Sequence, residues 1–461
     1  MGGVMSRMLE QGIVGQAMKR ETRSVSEQVT KAVEKALPKS SALGQDAFVR
    51  STAAKAAKQM DPGLMDAIVN PTILRQINEQ AVTPKLADLS KLVHDPARVP
   101  TTGEAHTFKL AIQHNAPQEA EALKALTGDE RRTYHELTQM MSHRPDGHLA
   151  LQNLLLDGKL TIASTQNPSR NLIQALGDLA HQDLAPGIDR HILIAQVPQE
   201  VSDPVAISQE FKGTCAATSH GQVLLSLQAP TDYVDLVAGL ASPKGKAKLP
   251  NGQEVTRKVD WRAGNDRIPA DDMLPGHPYN KGRSIPSQLM EPVFMQTGIG
   301  KEGWYSNTFD VEMAANDKAK QIGDGGLYPE QSARLMSSLF PNKSYTVVYP
   351  SKAEVADSIA SQKSWTGKRE VMSKDKIVDY LKANATPQTP VAVDVNYQLD
   401  GGHALLVTGA KELPVKGSNQ TQSYIEYINP WGRLELQRED AFKTVLFDMV
   451  PSGDRMGVVT H

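Results

Sequence analysis

Cysteine occurs once in this 461-residue chain, at Cys215. A single thiol excludes an intramolecular disulfide and any zinc site built on cysteine. Aromatic residues make up only 5%, so a core must be mainly aliphatic. A charge of either sign is hardly in surplus: 50 Lys and Arg stand against 52 Asp and Glu, for a net charge of −2. The basic excess expected of a nucleic-acid binder is therefore missing. No stretch approaches the roughly 18 uninterrupted apolar residues of a membrane span. Glu10 and Gln11 fall where a secretory signal needs an apolar run. No loop has the ligand spacing of an EF-hand, and no cofactor or metal is called for. These absences point to a globular protein of a reducing compartment such as the cytoplasm.

What is present begins with helix signals. Within "SVSEQVTKAVEKALP", Ser24 and Glu27 are spaced as a capping box, and Val25, Val29, Val33 and Leu37 share one face before Pro38 ends the run. "TPKLADLSKLVHDP" and "APQEAEALKALTG" read the same way, the second closing on Gly128 as a C-cap. "DGHLALQNLLLDGKL" and "SRNLIQALGDLAHQ" continue the pattern. Residues 1–190 are thus expected to form an all-α N-terminal region, with two sub-regions dividing near 96–106. From about 190 the pattern shifts. "HILIAQV" reads as a strand, helical runs follow to about 340, and "YTVVY" reads as a strand. "PVAVDVNYQL", "HALLVTGA", "SYIEYIN" and "LELQ" are strands joined by Gly-, Asp- and Asn-containing turns. Residues 191–461 are expected to form an α+β domain, helical first and antiparallel β afterwards, with its chemistry between the halves.

Cys215 sits in "FKGTCAATSHG". Thr214 reads as an N-cap, which puts Cys215 in the first turn of a helix, where unpaired N–H groups and the helix dipole favour a thiolate. A thiolate nucleophile needs a proton acceptor, and the acceptor needs an orienting group. "DGGHALLVTGAKE" supplies His403 at the mouth of an apolar strand. "YIEYINPWG" supplies Asn429 at the end of the next strand, with Trp431 two residues on, where an indole would cover a His–Asn hydrogen bond. Gln209, six residues before Cys215, carries an amide suited to an oxyanion.

In this order Gln209, Cys215, His403 and Asn429 resemble the catalytic set of the papain-like cysteine peptidases, and "GHALLVTG" and "NPWG" resemble the calpain branch. The resemblance covers roughly residues 195–461. It implies a two-lobed catalytic domain and a cysteine endopeptidase acting on protein: Cys215 as nucleophile, His403 as acid and base, Asn429 orienting it, Gln209 at the oxyanion and Trp431 as a shield. It also admits a papain-fold glutamine deamidase or transamidase of the effector or toxin kind; a scaffold with a decayed enzyme domain is an alternative from another class, and the intact triad argues against it. Export into another cell without a Sec signal belongs to the same analogy. The chain departs from the family in two ways. Ala216 stands where an aromatic residue usually follows the nucleophile, and the spacer from Cys215 to His403 is long.

Each residue also has a plainer explanation. A lone cysteine is more often a small buried hydrophobe than a nucleophile, and Asn429 before Pro430 suits a turn. The joint order favours a site. His220 is assigned to the structure, "GIGKEG" to a helix-ending loop, and His143 and His148 to a turn. The opening "MGGVMS" matches the myristoylation pattern at Gly2, which an ordinary chain start also matches. The N-terminal helices must bury their apolar faces somewhere, so they are expected to inhibit, to target or to bind a partner.

Overall fold

A computed structural model describes residues 68–69, 99–210, 212–262, 282–300, 305–308, 310, 326–396, 402–415 and 419–453. The helices expected over 24–38 and 83–96 lie outside these residues. Among the described residues the chain is a mixed α and β structure, with twelve α-helices, one large sheet and a two-stranded ribbon.

The helical part opens with α1 (Thr102–Ala122), α2 (Gly128–Met140), α3 (Pro145–Leu156), α4 (Leu172–His181) and α5 (Arg190–Ser202). Capping boxes start three of them, with Thr101 and Glu104, Thr127 and Glu130, and Asn171 and Gln174 each closing reciprocally. Gly128, expected to end a helix, is instead the first residue of α2, because Thr127 captures the Glu130 N–H and starts a new helix. The expected "HILIAQV" strand is part of α5. Asp189 accepts from Ile192 N at its start, and residues 193–201 are all buried. A run buried on every side carries no period, so apolar content alone does not separate strand from helix. His143 lies in a turn as expected, but His148 lies within α3.

A helix carrying Cys215 follows, ending in α6 (Leu224–Gln228), then α7 (Pro230–Ala241), the ribbon β2 (Lys246–Lys248) and β3 (Glu254–Thr256), α8 (Ile285–Ile299) and α9 (Pro329–Leu339). The "GIGKEG" stretch begins at the end of α8, where Gly300 takes φ 77°.

The sheet is built from β4 (Thr346–Tyr349), β5 (Lys368–Val371), β6 (Val391–Asn396), β7 (Gly402–Pro414), β8 (Thr421–Asn429), β9 (Arg433–Arg438) and β10 (Leu446–Val450). A two-residue strand β1 (Ile68–Val69) pairs antiparallel to β9 and adds one strand within the region expected to be all α. The order is β1-β9-β8-β7-β6-β10-β4-β5. The expectation of a wholly antiparallel β half is corrected at one edge. β4 and β5 are parallel, because α10 (Lys352–Ser361) carries the chain over between them, as parallel neighbours require. α11 (Lys374–Asn384) precedes β6, and α12 (Glu439–Val445) joins β9 to β10.

The layers explain the register. Ala392, Ala404, Leu406, Ile428 and Val450 point into one aliphatic core shared with α2–α9. Alternate residues Val393, Val395, Leu405, Val407, Ile425 and Tyr427 point into a second core under α11 and α12. β6, β7 and β8 are buried on both faces, which is why they read as nearly continuous apolar runs. The first core runs unbroken from Leu126 to Val450, through the boundary expected at 190.

Candidate active site

Cys215 opens the helix that faces the sheet. Thr214 precedes it and its carbonyl accepts from Thr218 N at 2.8 Å, but the Thr214 hydroxyl does not cap. It donates to Glu291 Oε2 on α8 at 2.7 Å, a charge-assisted bond that turns the hydroxyl toward the neighbouring helix. Residues Ala217–Val223 are wound as a π-helix, a local widening often found at functional sites. Within it, two consecutive residues reach β7. Ser219 Oγ lies 2.7 Å from the Cys215 carbonyl and 3.2 Å from the Ala404 carbonyl and shares its proton between them. His220 Nε2 donates to Leu405 O at 3.0 Å. One hydroxyl thus bridges the backbone of Cys215 and that of the residue after His403.

His403 enters β7 one residue from its start. Its Nε2 is 3.0 Å from Asn429 Oδ1. The Trp431 ring lies over the imidazole, with centroids 4.6 Å apart, and Trp431 N–H donates to the same Asn429 oxygen at 3.3 Å. Gly432, at φ 72°, closes the turn from β8 to β9 in a conformation that favours glycine. It is packed against Ala206 O, which a Cβ would meet at 3.1 Å.

The Gln209 loop is held against this turn. Gln209 N–H donates to Pro430 O at 2.7 Å, and Ser208 pairs with Trp431 as an antiparallel bridge. Gln209 Nε2 donates to Lys212 O at 2.6 Å. A carbonyl only accepts, so the amide nitrogen must face it, and a second amide proton remains. Glu210, the next residue, has φ 52°, the only positive φ outside glycine among the described residues. Beyond it, Lys212 is fully buried and donates to the Asn307 and Asp310 carbonyls, each at 2.7 Å. Gly213 N–H donates to Asp310 Oδ1 at 3.0 Å. The loop leading to the thiol is therefore fixed on two sides, by the Pro430 turn and by a buried ionic anchor.

The structure brings all five residues singled out in the sequence to one helix–strand–turn junction. Cys215 and His403 are each 6% exposed and Asn429 is 0% exposed. Burial, with Arg433 adding a like charge, lowers the His403 pKa to about 4, against the Asn429 hydrogen bond. The imidazole is then neutral at pH 7 and able to take a proton. His220, also lowered to about 4 by burial, serves as a neutral donor to β7. No group of three or more His, Cys, Asp or Glu suited to a metal occurs among the described residues, and no described helix is long and apolar enough to cross a membrane.

Sequence reasoning missed Glu435. It is 2% exposed and its Oε2 accepts from Asn429 Nδ2 at 3.2 Å and Tyr427 OH at 2.9 Å. Its role comes from the hairpin register, which sets Tyr427 opposite Glu435 and which local composition does not encode.

No protein-family model, curated protein or solved structure matches this chain.

Proposed function

We propose that the chain is a cysteine endopeptidase whose papain-like catalytic part joins a helical half to a β half. The observation that carries the reading is the His403–Asn429 hydrogen bond of 3.0 Å beneath the Trp431 ring, at the strand mouth that Ser219 ties to the Cys215 turn. In this reading the neutral imidazole takes the Cys215 proton through Nδ1, since Nε2 is engaged by Asn429. The sulfur attacks the substrate carbonyl. The imidazolium returns the proton to the leaving amine, and water attacks the acyl-enzyme by the same base. In this reading the Cys215 N–H and the second Gln209 amide proton receive the oxyanion.

The test is incubation of the full chain with a proteome-derived peptide mixture, followed by mass spectrometry. New amino termini that vanish in Cys215→Ala are expected. A gain of about 1 Da at glutamine without cleavage would assign the site to deamidation instead. Neither change, together with ordinary thiol reactivity, would leave a binding protein with an inactive domain.

A further inference from the structure

Asn429 can orient His403 usefully in only one of its two amide settings. If the amide turned over, its NH2 would face the imidazole, and Nδ1 would have to carry the hydrogen in place of Nε2. Nδ1, the nitrogen that takes the thiol proton in the triad reading, would then be a donor, and the sulfur would have no base. Such a rotation conserves shape, so packing alone does not prevent it. Something chemically one-sided must.

We infer that Glu435 is the positioning residue that fixes this setting. The inference rests on the triad reading given above. Glu435 is buried, and its Oε1 is ion-paired with Arg433 on the same strand. Its Oε2 receives Tyr427 OH at 2.9 Å and Asn429 Nδ2 at 3.2 Å. A carboxylate has acceptors only, so the Asn429 NH2 must point to it and the Asn429 oxygen must point to His403. The Trp431 N–H, at 3.3 Å from that oxygen, braces the same setting from the other side. With Oδ1 accepting from Nε2–H, the neutral imidazole carries its lone pair on Nδ1. The chain of constraint runs from a carboxylate on β9, through an amide at the end of β8, to a tautomer on β7. Tyr427 holds the carboxylate in place from the residue directly opposite in the hairpin.

The experiment uses the full chain and two readouts. The first is iodoacetamide alkylation of Cys215 at pH 6, in wild type, His403→Ala, Glu435→Leu and Glu435→Gln. The second is the ring-nitrogen spectrum of ¹⁵N-histidine-labelled protein, with the His403 signals assigned by their loss in His403→Ala. Wild type is expected to show the Nε2–H tautomer. Glu435→Leu is expected to lose it and to label on the order of 10-fold more slowly. Glu435→Gln, which keeps an oxygen acceptor for Asn429 Nδ2, should label within roughly 3-fold of wild type. If His403→Ala slows labelling but Glu435→Leu labels like wild type with its tautomer intact, the role of Glu435 is overturned and the triad stands. If His403→Ala labels like wild type, the triad reading falls, and the tautomer in wild type and Glu435→Leu decides Glu435 by itself. Should Glu435→Leu not fold, an Nδ1–H tautomer in wild type would overturn the inference and an Nε2–H tautomer retained in Glu435→Gln would support it.

Discussion

Gln209 has two amide protons, and one of them goes to the Lys212 carbonyl. If the second serves a developing oxyanion, Gln209→Ala should lower kcat by about 10- to 1,000-fold with KM little changed. A variant that changes KM alone would remove Gln209 from that role. The Trp431 ring gives a separate handle. The ring lies over His403 with centroids 4.6 Å apart, and burial is the largest cause of the low His403 pKa. Trp431→Ala should therefore raise that pKa from about 4 toward the ordinary 6.5 and move the acid limb of activity to higher pH. An acid limb that stays where it was would mean the ring packs there without shielding the imidazole. These five residues were legible in the sequence because each carries a side chain the proposed chemistry needs, in a recognisable order. Glu435 and the Thr214 hydroxyl were not. Their roles depend on a strand register and on a partner helix, neither of which local composition encodes.

At the scale of elements, the helix of Cys215 is held closely enough that small residues decide its place. Gly221 lies where a Cβ would stand 2.6 Å from Phe294 Cδ2 on α8 and 3.2 Å from Leu335 on α9. Gly221→Val should push the helix off α8, destabilising the protein by about 1–3 kcal/mol. Because Ser219 and His220 tie the helix to β7 next door, Cys215 alkylation at pH 6 should slow as well. Thermal unfolding and labelling measured together check this. A variant that unfolds as wild type does and labels at the wild-type rate would show that the contact yields without cost. Strands β6 to β9 were readable from the sequence as apolar runs bounded by turn residues. The errors fell where burial is complete, as in α5, and where an edge strand is joined by a helix crossover, as in β5. In both cases the missing information is tertiary: what covers the segment, and which strand it lies beside. The segment 182–204 contains α5, with residues 193–201 buried. Cleavage within 193–201 would cut the core.

Across the whole molecule, polar groups are buried between elements, and their protonation links stability to pH. Glu200 on α5 accepts from Gln222 at 3.0 Å and from Tyr233 and Ser284, joining four segments of the helical part. Burial pushes its pKa up to about 7. Asp394 on β6 and Asp448 on β10 are directly paired across the sheet. Burial, with Glu330 adding a like charge, pushes Asp394 up to about 7 against the hydrogen bond from Asp448, and burial with the charges of Asp394 and Glu330 pushes Asp448 well up. A group whose folded pKa is raised binds its proton more tightly in the folded state. Its stabilisation is complete below the ordinary carboxyl pKa of about 4 and is lost as pH rises through the folded value. His403 and His220 act in the opposite sense. Both are lowered to about 4, so their contribution is complete above the ordinary imidazole pKa of about 6.5 and is lost as pH falls through about 4. Above pH 6.5 the imidazole contribution is flat, and any further loss of stability belongs to the carboxyls. Stability should then fall from pH 6.5 to 8.5, by up to about 1.4 kcal/mol per pH unit for each carboxyl still protonated in the fold. Asp448→Asn replaces one acid of the sheet pair with an amide that can donate to the Asp394 carboxylate. It should unfold at a higher temperature than wild type at pH 8.5 and lose that advantage at pH 5, where the wild-type pair keeps its protons. Thermal unfolding of both proteins at the two pH values decides the matter. An equal difference at pH 5 and at pH 8.5 would show that the pair does not hold a proton that the unfolded chain releases.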